Sequence, residues 1–143
     1  IQNVGALNQE LTLSYSLSAD RYSKSMGALL LVRPRVLGSV GLRTDRKERI
    51  VPIDLGETMQ TTDDDSIELP EGYSVDELPD PMQLDLDFAA YRSAVEVKGN
   101  TLHYTRTFTL RKVTLPANRY GDVQKLASAI AADELGRVVL KKR

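Results

Sequence analysis

The stretch from Leu84 to Lys112 constrains the fold more than any other part of the chain. Leu84, Leu86 and Phe88 alternate with Asp85 and Asp87, and the strand runs on through Tyr91 and Ser93 to Val95 and Val97. A period of two is the signature of a half-buried β-strand. The Ala89-Ala90 pair is the place where that long strand could carry a bulge. Gly99-Asn100 follows, and both residues tolerate positive φ, so the pair reads as a two-residue hairpin turn. The return strand runs from Thr101 to Lys112. Leu102, Tyr104, Phe108 and Leu110 share one face, and Thr101, His103, Thr105, Thr107, Thr109 and Arg111 the other.

Around this hairpin the chain offers further short strands. Leu11, Leu13, Tyr15 and Leu17 alternate with polar residues over 10–18. Lys24 to Gly27 reads as a turn, and a second strand over about Ala28 to Leu37 would pair antiparallel with the first. Pro34 and Pro52 lack an N–H and belong at edges or bulges. Residues 38–49 read as a loop, and Ile50, Val51, Ile53 and Leu55 as a short strand. The polar, acidic 56–65 reads as a loop, Ser66 to Leu69 as a strand, and Tyr73 to Val75 as a short extended piece. Pro79 and Pro81 bracket a stiff connector. One helix stands out over about 118–134, with Asn118 as a plausible N-cap. Tyr120, Val123, Leu126, Ala127, Ile130 and Ala131 recur at helical spacing, and Gly136 closes the helix. Arg137 to Lys141 reads as a last strand. Many short strands and one late helix give no βαβ alternation. The expected fold is mainly β: an antiparallel two-sheet β-sandwich with one α-helix near the C-terminus, the helix covering one end or an open edge. The 143 residues suit a single domain, 1–143, with a core large enough to need neither disulfide nor metal.

Charge is unevenly placed. The formal net charge is −1, but residues 63–87 carry Asp63, Asp64, Asp65, Glu68, Glu71, Asp76, Glu77, Asp80, Asp85 and Asp87 and no base. Residues 21–49 and 98–143 are basic by contrast, so the acidic middle and its flanks are expected to lie close and offset each other. The near-zero total argues against nucleic acid as a partner, and no apolar run approaches the length of a transmembrane helix.

The chemistry on offer is narrow. The chain has no cysteine, which removes thiol nucleophiles and thiolate metal sites. His103 is the single histidine and falls on the threonine-rich strand face, so a hydrolase triad and a transition-metal site both lack ligands. Asp63-Asp64-Asp65 with Glu57 lacks the spaced pattern of a calcium loop. Asp85 and Asp87 share a strand face with nothing to make them a cleft. No catalytic, cofactor-binding or metal-binding residue is therefore assigned. Arg106 is the exception that needs a partner: it falls between Tyr104 and Phe108 on the apolar face, where a lone cation is costly. A structural ion pair with the acidic segment is expected for it, and Arg33 and Arg35 beside Pro34 are similar candidates.

Several motifs carry a resemblance. Leu69-Pro-Glu-Gly-Tyr-Ser-Val-Asp-Glu-Leu-Pro has the form LPxGYxVxxLP, and Gly99-Asn-Thr-Leu-His-Tyr-Thr-Arg-Thr-Phe-Thr-Leu the form GNxLxYxRxFxL. With the helix after Leu115-Pro116 and the closing Val138-Val139-Leu140-Lys141, residues 66–142 resemble a domain family found after the transglutaminase-like core in bacterial exported proteins. Residues 29–38 are similar to the segment just before it. The resemblance implies a piece of a longer polypeptide in the periplasm or at the cell surface. It also implies a non-catalytic accessory or interaction domain whose partner is the parent core or another protein. The alternative is a module binding cell-wall or polysaccharide material through the threonine-rich face.

Overall fold

The computed structural model describes residues 1–14, 16, 19, 21–42, 44 and 48–143. Its largest sheet has the order β4-β8-β7-β6, where β4 is Met59–Glu68, β6 Met82–Asp85, β7 Ala89–Lys98 and β8 Thr101–Leu110. A second sheet has the order β1-β2-β10-β5, where β1 is Lys24–Met26, β2 Leu29–Val32, β5 Tyr73–Glu77 and β10 Val138–Lys142. A two-stranded ribbon joins β3, Ile53–Asp54, to β9, Thr114–Leu115. All pairings are antiparallel. The helix α1 covers Tyr120–Glu134 after a 3-10 turn at Ala117–Arg119. The fold is the mainly β, two-sheet sandwich with one late helix.

The hairpin at Gly99-Asn100 forms with Lys98 opposite Thr101, and Gly99 alone takes positive φ, +62°. Positive φ at the first turn residue only is the II′ pattern, whose twist suits the flanking strands. β8 then presents Leu102, Tyr104, Arg106, Phe108 and Leu110 inward.

Five expectations are corrected. The long strand from Leu84 to Val97 is two strands: the chain reverses at Leu86–Ala89, closed by the Leu86 N–H donating to the Ala89 carbonyl at 2.8 Å. Asp85 and Asp87 hold this turn by pairing with Arg111, and with Lys112 and Arg119. The acidic 59–65 is not a loop but most of β4, paired along its full length with β8. Lys24 to Met26 is a strand partnering β2, not the turn before it. The described residues of 10–18 form only the isolated bridge Gln2–Thr12, with Leu11 and Leu13 exposed; Tyr15, Leu17 and Ser18 lie outside the described residues. Finally, α1 begins after Arg119 with no side-chain cap, and Asn118 sits in the 3-10 turn.

The helix packs on the inner face of the large sheet. Tyr120, Val123, Leu126 and Ile130 pack with Phe88, Tyr91, Phe108 and Leu110 of the large sheet, and with Ile53 and Leu115 of the ribbon. Burying each such side chain is worth about 1.5–3 kcal/mol. A second apolar cluster joins Leu102 and Leu69 to Val32, Val138 and Leu140 of the second sheet. One face of the large sheet is thus shared, α1 covering the Leu110 end of β8 and the second sheet the Leu102 end.

Candidate functional site

Where the two clusters meet, the inner face of the large sheet turns polar. Arg106 follows Tyr104 on β8 and faces Asp63 on β4 and Ser93 on β7, because register partners in adjacent strands share a face. The Arg106 side chain is only 3% exposed. Its Nε and Nη2 both bond Asp63 Oδ2, and its Nη1 donates to Glu134 Oε1 at 2.9 Å. Burial works against a charged guanidinium, yet the Asp63 hydrogen bond and charge outweigh it and hold the Arg106 pKa above its ordinary value.

Glu134 is the hub on the other side. The same Oε1 lies 3.2 Å from Arg35 Nη1 and accepts the Val40 N–H at 2.9 Å. Arg35 Nη1 also donates to the Gly38 carbonyl, and Asp65 Oδ2 accepts the Val36 N–H at 3.3 Å. The 35–40 connection is thereby tied at several points to α1 and β4. Next to Glu134, Asp133 accepts the Tyr91 hydroxyl at 2.6 Å and the Ser93 hydroxyl at 2.7 Å. The Tyr91 phenol is pushed far above its usual range, first by burial and then by donating to Asp133. Tyr104 is raised as well, chiefly by burial, with the Arg106 charge working the other way.

Of the three arginines singled out by sequence, Arg106 and Arg35 therefore meet at Glu134. Arg33 does not join them. It is exposed, makes no ion pair among the described residues, and contributes its carbonyl to the Tyr22 hydroxyl at 2.7 Å. Sequence reasoning missed Asp133 and Glu134. Their signal was present: two acids in the last turn of a helix that has no base there. Carboxylates at that end oppose the helix dipole, so they require partners elsewhere.

The remaining candidate chemistry is dispersed. Asp63 and Asp65 point inward while Asp64 points out, so the acidic triplet does not converge. Among the described residues no three of His, Cys, Asp and Glu are grouped to hold a metal ion. Asp85 and Asp87 have lowered pKa values through hydrogen bonds to Arg111, and to Arg119 and Lys112, the opposite of what a general acid needs. His103 Nδ1 is 3.1 Å from Ser66 Oγ on the outer face of the large sheet, with Glu96 opposite on β7. Glu96 pairs with Lys98 at 3.3 Å, and Ser66 and Glu96 are open to solvent. That row has the residue types of a triad without the shielding that makes one effective.

Residues 30–140 match a family described as a domain of unknown function with a solved structure, DUF3858. No curated protein matches the chain. Among solved structures, a crystal structure named as a putative protease from Parabacteroides distasonis is similar in fold, with a TM-score of 0.65 and 14% identity over 80% of this chain. The chain spans only 24% of that protein's length. The family match covers most of the sequence, including the large sheet, the helix and most of the second sheet, and the chain belongs to the DUF3858 family.

Proposed function

We propose that this chain is a non-catalytic accessory domain, serving in a bacterial envelope protein to pack against, orient or restrict access to a transglutaminase-like core, or to bind another protein. The observation that carries this reading is how the polar seam is used. Asp63, Asp65, Asp133 and Glu134 each meet a cation, a hydroxyl or a backbone N–H of the chain itself. Their work is to lock the 35–40 connection, α1 and the large sheet into one arrangement. The share of the longer solved relative occupied by this fold, 24%, supports a role as one part of a larger polypeptide, and the LPxGYxVxxLP and GNxLxYxRxFxL motifs support the transglutaminase-like and exported context. The test is deletion of residues 30–143 from the longer polypeptide. Stability or substrate access should change while the core reaction persists; unchanged stability and kinetics would refute the proposal.

A second reading is favoured by one feature. The outer face of the large sheet holds a shallow groove of about 440 Å³, with Gln83, Arg92, Thr105 and Thr107 in its lining. Hydroxyl, amide and guanidinium groups in a shallow groove suit a polysaccharide. Saturable binding to a glycan array or to peptidoglycan, lost on Thr105 and Thr107 substitution, would favour this reading over the first.

A further inference from the structure

The outer face of the second sheet carries a charge arrangement that the seam does not use. Val32 and Val138 are register partners and both point into the core. Their neighbours Arg33 and Arg137 therefore point outward, opposite each other at the end of the β2–β10 ladder. On the same face Leu31 is flanked by Lys24 on β1 and Val139 on β10. Tyr22, Lys24, Leu31, Arg33 and Arg137 line one concavity of about 280 Å³.

Like charges placed opposite each other across strands are destabilising. Three cations around one leucine compound the effect, and among the described residues none of the three has an ion-pair partner. Of the nearby acids, Asp65, whose charge reaches Tyr22, accepts the Val36 N–H, and Glu77, opposite Val139 on the same outer face, forms an ion pair with none of the three. The concavity is also built. The Tyr22 hydroxyl donates to the Arg33 carbonyl at 2.7 Å and to the Arg35 carbonyl at 3.1 Å, which fixes the ring as a wall. Leu31 gives it an apolar floor.

We infer that this concavity is an anion site for a phosphoryl group carried on a small or amphiphilic organic molecule. A multiply charged oxyanion offsets three cations where a single carboxylate would not. The planar forks of two arginines match phosphoryl oxygens. The apolar floor takes the carbon next to the phosphate. This site is separate from the seam and does not depend on the accessory reading.

The test uses the 143-residue chain and the variants Lys24→Gln and Arg137→Gln. At low ionic strength in chloride each variant should melt at a higher temperature than the parent, because a repulsion is removed. Inorganic phosphate and glycerol phosphate, at ionic strength matched with chloride, should raise the melting temperature of the parent. Each variant should bind these about tenfold more weakly, as expected for one lost charge-assisted contact. Vesicles of phosphatidylglycerol and of phosphatidylcholine separate the sources. Binding to phosphatidylglycerol that inorganic phosphate does not compete places the phosphoryl group on a lipid; displacement by inorganic phosphate places it on a soluble ligand. No phosphate- or phosphatidylglycerol-dependent effect, or equal binding by parent and both variants, overturns the site. So does binding confined to an acidic peptide.

Discussion

Arg106→Met is the perturbation that tests the seam most directly. The side chain is 3% exposed and compensates two carboxylates, Asp63 and Glu134, whose side chains are 25% and 14% exposed. Methionine keeps the apolar stem and lacks the guanidinium head, so the loss is mainly electrostatic. Removing one partner of a buried ion pair costs about 3–5 kcal/mol, because the other charge is left uncompensated. Both carboxylates keep some water, and Glu134 keeps Arg35 and the Val40 N–H, so a loss of about 3 kcal/mol, at the low end of that range, is expected. With an unfolding entropy of about 2.1 cal/mol/K per residue, a chain of 143 residues should lose about 10 °C in melting temperature. Urea denaturation should show a lower midpoint with an unchanged slope, since the exposed surface is the same. Adding Asp63→Leu to Arg106→Met should restore part of the loss, with a coupling of about 1–3 kcal/mol in the double-mutant cycle. An Arg106→Met variant within about 0.5 kcal/mol of the parent, the range of ordinary surface changes, would refute the claim that this arginine holds the fold together. A strictly additive cycle would refute the pairing with Asp63.

Three further outcomes follow from the same structure. Tyr91 and Tyr104 have raised folded pKa values against an ordinary 10.0, so their contribution is complete below pH 10 and falls as pH rises further, where only the unfolded chain ionises. Melting temperature should decline above pH 10, and less steeply in Tyr91→Phe; a flat profile to pH 12 would refute this. Asp85 and Asp87 have lowered folded pKa values, so their contribution is present above the ordinary carboxylate value of 3.8 and is lost as pH falls through the folded values. The acid limb of a melting-temperature profile should flatten in Asp85→Asn and Asp87→Asn, and identical limbs in parent and variants would count against the turn-locking role. Gly99 sits at φ +62° with open space around it, so Gly99→Ala should lose about 1–2 kcal/mol from backbone strain alone; calorimetry showing no loss would contradict the turn geometry.

The elements legible in the sequence were those whose pattern follows from burial alone. β8 alternates because one side of it is core, and α1 repeats at helical spacing because one stripe of it is core. The 118–134 reading differs from α1 mainly at Asn118, where a 3-10 turn preceded by Pro116 replaces a side-chain cap. The failures have two causes. β4 reads as a loop because Thr61, Asp63 and Asp65 stand at inward positions that alternation reserves for apolar residues. Asp63 is inward only because Arg106 waits opposite, and a pattern read one strand at a time cannot register a cross-strand partner. The split at Leu86–Ala89 is hidden for the opposite reason, since Leu84, Leu86 and Phe88 keep the strand rhythm while the chain reverses. The reversal depends on Arg111, Lys112 and Arg119, more than twenty residues away, which bind its acids.

The seam itself is half legible, and the half that is hidden explains its form. An inward arginine announces that an acid is near but not which one, and the acidic run 63–87 offers ten candidates. Strand register selects Asp63, because it alone stands opposite Arg106 on β4. The second acid comes from outside that run, from the last turn of α1, where its charge works against the helix dipole. A carboxylate in an unfavourable helical position and a guanidinium in an unfavourable strand position are each costly alone, and each removes the other's cost when α1 lies across β8 at one offset. Sliding the helix by a single turn of about 5.4 Å would separate Glu134 from Arg106 and Asp133 from Tyr91 and Ser93 together, while the apolar stripe could still find leucines and aromatics to cover. The apolar clusters therefore hold the layers in contact, and the seam fixes where along the sheet they meet.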